Sequence, residues 1–155
     1  MKKTNVKGFT IIEVVLVLAI AGLIFLVVFL ALPALQRQQR DTQRRSDASR
    51  ASSLMSNFKA NNNGGLPTTA AAQTSFENTY LKVATEFKSP STQAQYAVTW
   101  VVAANLVASN SSTNTDTAFF APNHSCTGDQ LVSNIGKFAV RMPLENGGAY
   151  CVGEN

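Results

Sequence analysis

The sequence predicts an α+β subunit in which a long amino-terminal helical spine, one half transmembrane and one half amphipathic, packs on a small antiparallel β-sheet head. Three observations carry this expectation. No charged residue occurs from Val14 to Leu35. Beyond a polar stretch, Ala48, Ala51, Leu54, Met55 and Phe58 recur at helical spacing. Farther on the period changes to two, in Tyr96, Val98, Trp100 and Val102 and again in Phe138, Val140 and Met142.

The 155 residues amount to one domain, with 45% hydrophobic and 14% charged residues overall. Those averages conceal a membrane-length segment joined to a hydrophilic body rich in Ser, Thr, Asn and Gln, which disfavours a wholly soluble cytosolic protein. The net charge of +4 comes largely from Lys2, Lys3 and Lys7, all ahead of the apolar run. Basic residues in that position hold the near side in the cytoplasm and send the far side outward. The basic balance is therefore a topology signal, and direct nucleic-acid binding is not indicated. Cys126 and Cys151 both lie on the expected outer side, where a disulfide can persist.

Three readings compete for Phe9 to Leu35. A cleaved secretory signal places its small-x-small site at Ala19-Ile20-Ala21, inside the apolar run, and leaves an apolar new terminus. A plain anchor fits the length, about 40 Å as a helix, but leaves Glu13 unexplained. A charge inside such a segment costs roughly 2.5–3.5 kcal/mol at its centre, less near an end, and ordinarily has a partner. Cleavage between Gly8 and Phe9 would create an ammonium group four residues from Glu13, able to neutralise it within one chain or between neighbours. The plainer alternative is Glu13 at headgroup level, paired with lysine or lipid.

The string Lys7-Gly8-Phe9-Thr10-Ile11-Ile12-Glu13, with its basic leader and the long apolar helix behind it, resembles the class III signal of the type IV pilin superfamily. The resemblance covers about 30 residues and places Gly, Phe-Thr and Glu in one register. It implies cleavage after Gly8 by a prepilin peptidase that also N-methylates Phe9. It further implies that Glu13 complements the Phe9 terminus of an adjacent subunit as apolar helices leave the bilayer and form a filament core. The partners so implied are further copies of the chain in a helical filament, the peptidase and methyltransferase, an inner-membrane platform protein and an assembly ATPase. Gly22 and Pro33 are weak points in the helix. In pilins, similar breakers let the helix bend or melt locally, and a passive kink is the alternative.

The expected organisation is a leader over residues 1–8, a long helix over 9–62 with its transmembrane and filament-core part at 9–35, and a globular head over 63–155. From Phe9 to about Asn61 the helix would run roughly 80 Å. Arg37 and Asp41, Asp41 and Arg45, and Arg44 and Asp47 have spacings suited to ion pairs on an exposed helix. A solvated helix is expected there, with subunit or lipid contacts as the alternative. Asn61-Asn62-Asn63-Gly64-Gly65 and Pro67 stop the helix.

In the head, Thr74-Ser75-Phe76-Glu77 has the form of a capping box opening a short helix with Phe76, Tyr80, Val83, Ala84 and Phe87 on one face. A strand around Tyr96 to Ala103, a polar loop over Ser109 to Thr117, and a strand at Phe119 and Phe120 closed by Pro122 follow. A hairpin then turns at Glu145-Asn146-Gly147-Gly148. Cys126 and Cys151 could be bonded, free, or half of a metal site with His124, although no zinc spacing is met. Many pilins tie off a carboxy-terminal, surface-facing loop with such a bond. No catalytic constellation, phosphate loop or cofactor motif appears, so no enzyme and no cofactor are expected. Asp116, Asp129 and Glu145 are scattered rather than clustered for calcium. Asn110-Ser111-Ser112 and Asn123-His124-Ser125 match the N-glycosylation pattern, and the Ser/Thr loop near Ser111 is read as a solubilising one rather than a carrier of O-linked sugar.

These features point to a membrane precursor, amino terminus inside, that matures into an extracellular pilus subunit serving adhesion, twitching motility or DNA uptake. The alternatives are a pseudopilin of a type II secretion or competence machine, and a monomeric membrane-anchored extracellular binding domain.

Overall fold

A computed structural model describes residues 8–81 and 86–154. The leader lysines, and Val83 and Ala84 of the expected second helix, lie outside the described residues. The chain divides into two compact units that meet at Gln36 and Arg37. Helix α1 spans Ile11–Asn61, and both Gly22 and Pro33 lie inside it.

Within the second unit, α1 buries Asp41, Arg44, Ala48, Ala51, Met55 and Phe58. The steps alternate three and four, which keeps one stripe on one face. The helix ends as Asn63 and Gly64 take positive φ angles of 54° and 83°, a conformation glycine and asparagine tolerate. The next helix, α2, is Ala70–Phe76, followed by a π turn at Glu77–Leu81. It opens earlier than expected: the hydroxyl of Thr69 caps it by accepting from the Ala72 amide at 3.3 Å. Glu77 is not a cap partner of Thr74 but accepts a hydrogen bond from the Trp100 indole N–H.

Strands β1 (Ala97–Trp100), β2 (Thr117–Thr127), β3 (Gln130–Pro143) and β4 (Ala149–Gly153) form one sheet in that order. The expected all-antiparallel sheet is in fact mixed, because β1 runs parallel to β2, with Ala97 opposite Thr117 and Trp100 opposite Phe120. A parallel pair needs a long crossover. Residues 101–116 supply it, through a 3₁₀ turn at Ala103–Asn105 and helix α3 at Leu106–Ser111, in part of the stretch expected to be loop. The final hairpin follows expectation, with Met142 opposite Tyr150 and Val140 opposite Val152.

Strand β2 does not stop at Pro122. It continues to Thr127 because the ladder with β3 shifts register between Pro122 and His124: Pro122 faces Phe138, but His124 faces Ser133. The extra residues of β3 bulge at that point. Asn123 absorbs the bend at φ 62°, and its side-chain oxygen accepts the Gly136 amide at 3.0 Å.

Alternation sorts side chains to two faces of the sheet. Ala118, Phe120, Phe138, Val140 and Met142 join Ala48, Ala51, Met55 and Phe58 of α1 in the main core. Phe76 sits at its centre, within 6.0 Å, ring to ring, of Phe58, Tyr80, Trp100 and Phe120. The other face carries Phe119, Ala121 and Ala139 with Val101 and Leu131, and the Cys126–Cys151 disulfide packs over them. Arg141 is buried on this face too. It donates to the carbonyls of Asp129, Ser109, Ser112 and Asn110, so the end of α3 and the β2–β3 turn are held by one guanidinium. Burial pushes its pKa down.

Two of the helix charges expected in solvent, Asp41 and Arg44, are buried inside this unit, whereas Arg37 and Arg45 are exposed. Arg44 is 0% exposed and Asp41 5%. Arg44 pairs with Asp41 at 3.2 Å and Glu145 at 2.8 Å, and donates to the Thr115 carbonyl at 3.1 Å and the Ser91 hydroxyl at 3.0 Å. Asp41 accepts the backbone amides of Glu145 at 2.8 Å and Asn146 at 3.0 Å. Arg40 adds a two-pronged pair to Glu145 at 2.8 and 2.6 Å. Ser89 and Ser91 both donate to Asp116, which lowers its pKa. Hydrogen bonds from Arg40 first, then from Arg44, hold the Glu145 carboxyl at about 2.

Two outcomes are expected of the detergent-solubilised protein. A Cβ on Gly153 would lie 2.1 Å from the Phe138 carbonyl oxygen and 2.6 Å from the Ala139 Cα, so Gly153→Ala should cost about 1–3 kcal/mol in urea unfolding. Glu145→Gln leaves the buried Arg44 short of one anion and should cost about 2–3 kcal/mol at pH 7. Because the folded pKa of Glu145 lies below its ordinary value, its stabilisation is complete above roughly pH 5 and is lost as pH falls towards about 2. Between those limits the variant's stability should fall less steeply than that of the parent.

Candidate processing and assembly site

Gly8, Phe9, Thr10 and Glu13 lie together at the start of α1. Gly8 is exposed with no heavy atom within 4 Å of where a Cβ would stand, and Phe9 is 89% exposed. The bond between them is therefore open to approach. Immediately after it, Thr10 and Glu13 form a reciprocal cap. The Thr10 amide donates to Glu13 Oε2 at 2.9 Å, the Thr10 hydroxyl donates to the same oxygen at 2.8 Å, and the Glu13 amide reaches the Thr10 hydroxyl at 3.4 Å. This is a capping box, Thr-x-x-Glu, which satisfies amides that the first helical turn leaves unpaired. The Thr10-x-x-Glu13 spacing is legible in the sequence, but the charge of Glu13 beside an apolar run is the stronger signal there.

The cap fills hydrogen-bonding capacity but supplies no positive charge. Both Thr10 donors go to Oε2, and Oε1 takes no part in them. Beyond the cap, every large apolar side chain from Ile11 to Leu35 is exposed. This is the one helix among the described residues long and apolar enough to cross a membrane, and its most apolar stretch is not buried.

Residues 3–29 match the family described as the prokaryotic N-terminal methylation motif. The amino-terminal segment is that of a type IV pilin-like prepilin. Neither a curated protein nor a solved structure matches the chain. The prepilin motif with its apolar helix marks a membrane-anchored precursor, and a class III signal implies processing by a prepilin peptidase and handling by an assembly machinery. The long helix on a small mixed sheet agrees with a pilin-like fold.

The other residues singled out in the sequence have separate settings. Gly22 and Pro33 lie along the exposed apolar part of α1. Cys126 and Cys151 are bonded, with their Cα atoms 5.8 Å apart. Among the described residues, no group of three or more His, Cys, Asp or Glu side chains could hold a metal ion. Both amides of the glycosylation patterns are engaged: Asn110 exchanges hydrogen bonds with the backbone of Leu131 at 2.9 and 2.7 Å, and Asn123 holds Gly136.

The cap geometry gives a direct expectation. Thr10→Val removes the hydroxyl from both sides of the box, whereas Thr10→Ser keeps it. Valine should weaken the first turn by about 1 kcal/mol, visible as faster amide exchange at residues 11–13 in micelles, and serine should leave that exchange unchanged.

Proposed function

We propose that this prepilin is a structural subunit of an extracellular type IV pilus-type filament, cut between Gly8 and Phe9 and N-methylated at Phe9. The carrying observation is the methylation motif over residues 3–29, which runs into a helix whose apolar surface is bare from Ile11 to Leu35. Lipid and a bundle of like helices are both apolar, so one surface serves first as anchor and then as filament core. Cleavage turns the Phe9 amide into an ammonium group. Glu13 of a neighbouring copy then gains the positive partner that its intrachain cap lacks, and the pair sets subunit register. Gly22 and Pro33 provide local compliance as the helix passes from bilayer to bundle, and the disulfide-tied unit is the outward-facing part. Adhesion, motility and DNA uptake are uses of such a filament.

Glu13 also favours assembly over a simple anchored binding domain. A carboxylate near the apolar run disfavours insertion, and an anchor would obtain the same cap from an uncharged glutamine. Glu13→Ala should therefore leave membrane insertion intact and reduce the yield of sheared filaments at least tenfold, as counted by electron microscopy. Undiminished filament yield from that variant would remove Glu13 from the mechanism. Intact mass on the same sheared material should give a chain that begins at methylated Phe9 and carries the disulfide. A mature chain still beginning at Met1 would put the anchored-domain reading ahead.

A further inference from the structure

Five arginines stand on α1 from Arg37 to Arg50, just beyond the uncharged run that ends at Leu35. Under the orientation expected from Lys2, Lys3 and Lys7, cations on that side of the run count against the topology signal. The fold answers three of them. Arg40 and Arg44 pair with Glu145, Arg44 also with Asp41, and Arg50 with Glu86 at 3.6 Å. Arg37 and Arg45 are exposed, and among the described residues neither meets a carboxylate. Arg45 instead lies over the Tyr150 ring, with its guanidinium carbon 5.2 Å from the ring centre. Stacking uses a face of the guanidinium and leaves the N–H groups in its plane free for an oxyanion.

A second copy of the chain has little to offer these two cations. The sequence holds nine acidic residues, Glu13 at the start of the apolar helix and eight beyond it. Asp41, Glu86, Glu145 and Glu154 are held in ion pairs, the last with Lys59 at 2.6 Å. Asp47 and Asp116 accept hydroxyl hydrogen bonds and lie in the field of Arg44, and Asp129 lies in that of Arg141. Glu77, the eighth, is half-buried and accepts the Trp100 N–H. A carboxylate for Arg37 or Arg45 would have to be shared with a partner it already has, so the anion that suits them comes from outside the chain.

Their position selects its source. Arg37 is two residues past the last apolar side chain, a helical rise of about 3 Å, and the headgroup layer on each side of a bilayer is roughly 5–7 Å thick. We propose that Arg37 and Arg45 bind anionic phospholipid of the leaflet from which the second unit emerges. Arg37 takes a headgroup phosphate. Arg45, about 12 Å farther along α1, meets the outer edge of that layer, since helix side chains lean toward the amino terminus and a tyrosine such as Tyr150 suits an interface. Two guanidiniums are few for a nucleic acid, whose affinity grows with the number of phosphates neutralised. The contact belongs to the membrane-resident chain whether or not it later polymerises, so it stands apart from the filament reading.

The chain has six arginines, and ¹⁵N-arginine labelling of the full-length protein in neutral detergent micelles reads each Nε–H directly, so lipid at the leader lysines does not enter the signal. Titration with phosphatidylglycerol should shift Arg37 and Arg45 saturably. Arg44 and Arg141, 0% and 3% exposed, should stay in place, and phosphatidylcholine or inorganic phosphate should move none of the four. Arg37→Gln should lower the affinity reported by Arg45 about fivefold with the Arg44 signal unchanged, and Arg37→Lys should restore most of it. The proposal is overturned if phosphatidylglycerol leaves Arg37 unshifted, if phosphatidylcholine or phosphate shifts it equally, or if Arg37→Gln leaves the affinity unchanged. The same shifts from a short single-stranded DNA at lower concentration would assign this face to nucleic acid. Shifts that follow protein concentration without lipid would assign it to a second copy, and either result overturns the proposal equally.

Discussion

A guanidinium can be withdrawn fully from water only where anions and carbonyls replace its hydration, and Arg44 meets that condition through four separate segments. Asp41 comes from the same helix, Glu145 from the β3–β4 turn, Thr115 from the chain entering β2, and Ser91 from the loop before β1. Asp41 returns the favour by accepting two amides of the same turn. The helix is thus fastened to the sheet by directional bonds at one end of the buried stripe and by Met55 and Phe58 at the other. Apolar packing alone tolerates a helix sliding or rotating on a sheet. The charged cluster admits one register, because moving α1 by a turn would separate Arg44 from Glu145, Thr115 and Ser91, and Asp41 from the amides of the turn. Buried ion pairs contribute little net stability on average, so the contribution here is specificity of docking.

The reverse face of the sheet solves a different problem. Phe119, Ala121 and Ala139 point away from α1, and without cover they would form an apolar patch. The shifted β2–β3 hairpin and α3 provide that cover, and each is pinned by a different bond type. The disulfide joins the hairpin to β4 across β3, Arg141 collects carbonyls from both elements, and Asn110 exchanges bonds with Leu131. Arg141 takes no carboxylate at close range among these contacts; the carbonyls ending α3 present the negative end of its dipole instead. The same irregular hairpin that closes this second core is what carries His124.

How much of this was legible in the sequence follows the physics of each signal. The stripe from Ala48 to Phe58 and the final hairpin were readable, since apolar periodicity and Gly-rich turns report burial and reversal directly. Asp41 and Arg44 occupy the same stripe one heptad earlier, but charged residues at helical spacing look like a solvated face. Their burial depends on Glu145 and Thr115, more than seventy residues away. The passage of β2 through Pro122 was hidden for a related reason: proline normally ends a central strand, and only the offset of β3 makes room for it. The parallel β1–β2 pair could not be read from alternation, which reports a strand's faces and not its neighbours. At the amino end the reverse holds. Gly8, Phe9 and Glu13 announce themselves because each is costly or unusual where it stands.

Glu13 and Glu145 show what a carboxylate needs in each setting. Glu145 has two guanidinium partners within the chain, so both its hydrogen bonding and its charge are answered by the fold. Glu13 has Thr10, which answers the hydrogen bonding alone. A hydrogen-bonded carboxylate still carries its full charge, and beside an apolar run that charge is relieved only by a cation. The capping box therefore lets the helix begin cleanly, while among the described residues it brings no cation to the carboxylate. Under the filament reading, that unmet charge makes the new ammonium on a neighbouring subunit a preferred partner over lipid or water. The cap also holds the carboxylate at a defined position on the first turn, so under that reading an arriving amino terminus would find it pre-oriented and lose less conformational freedom on pairing.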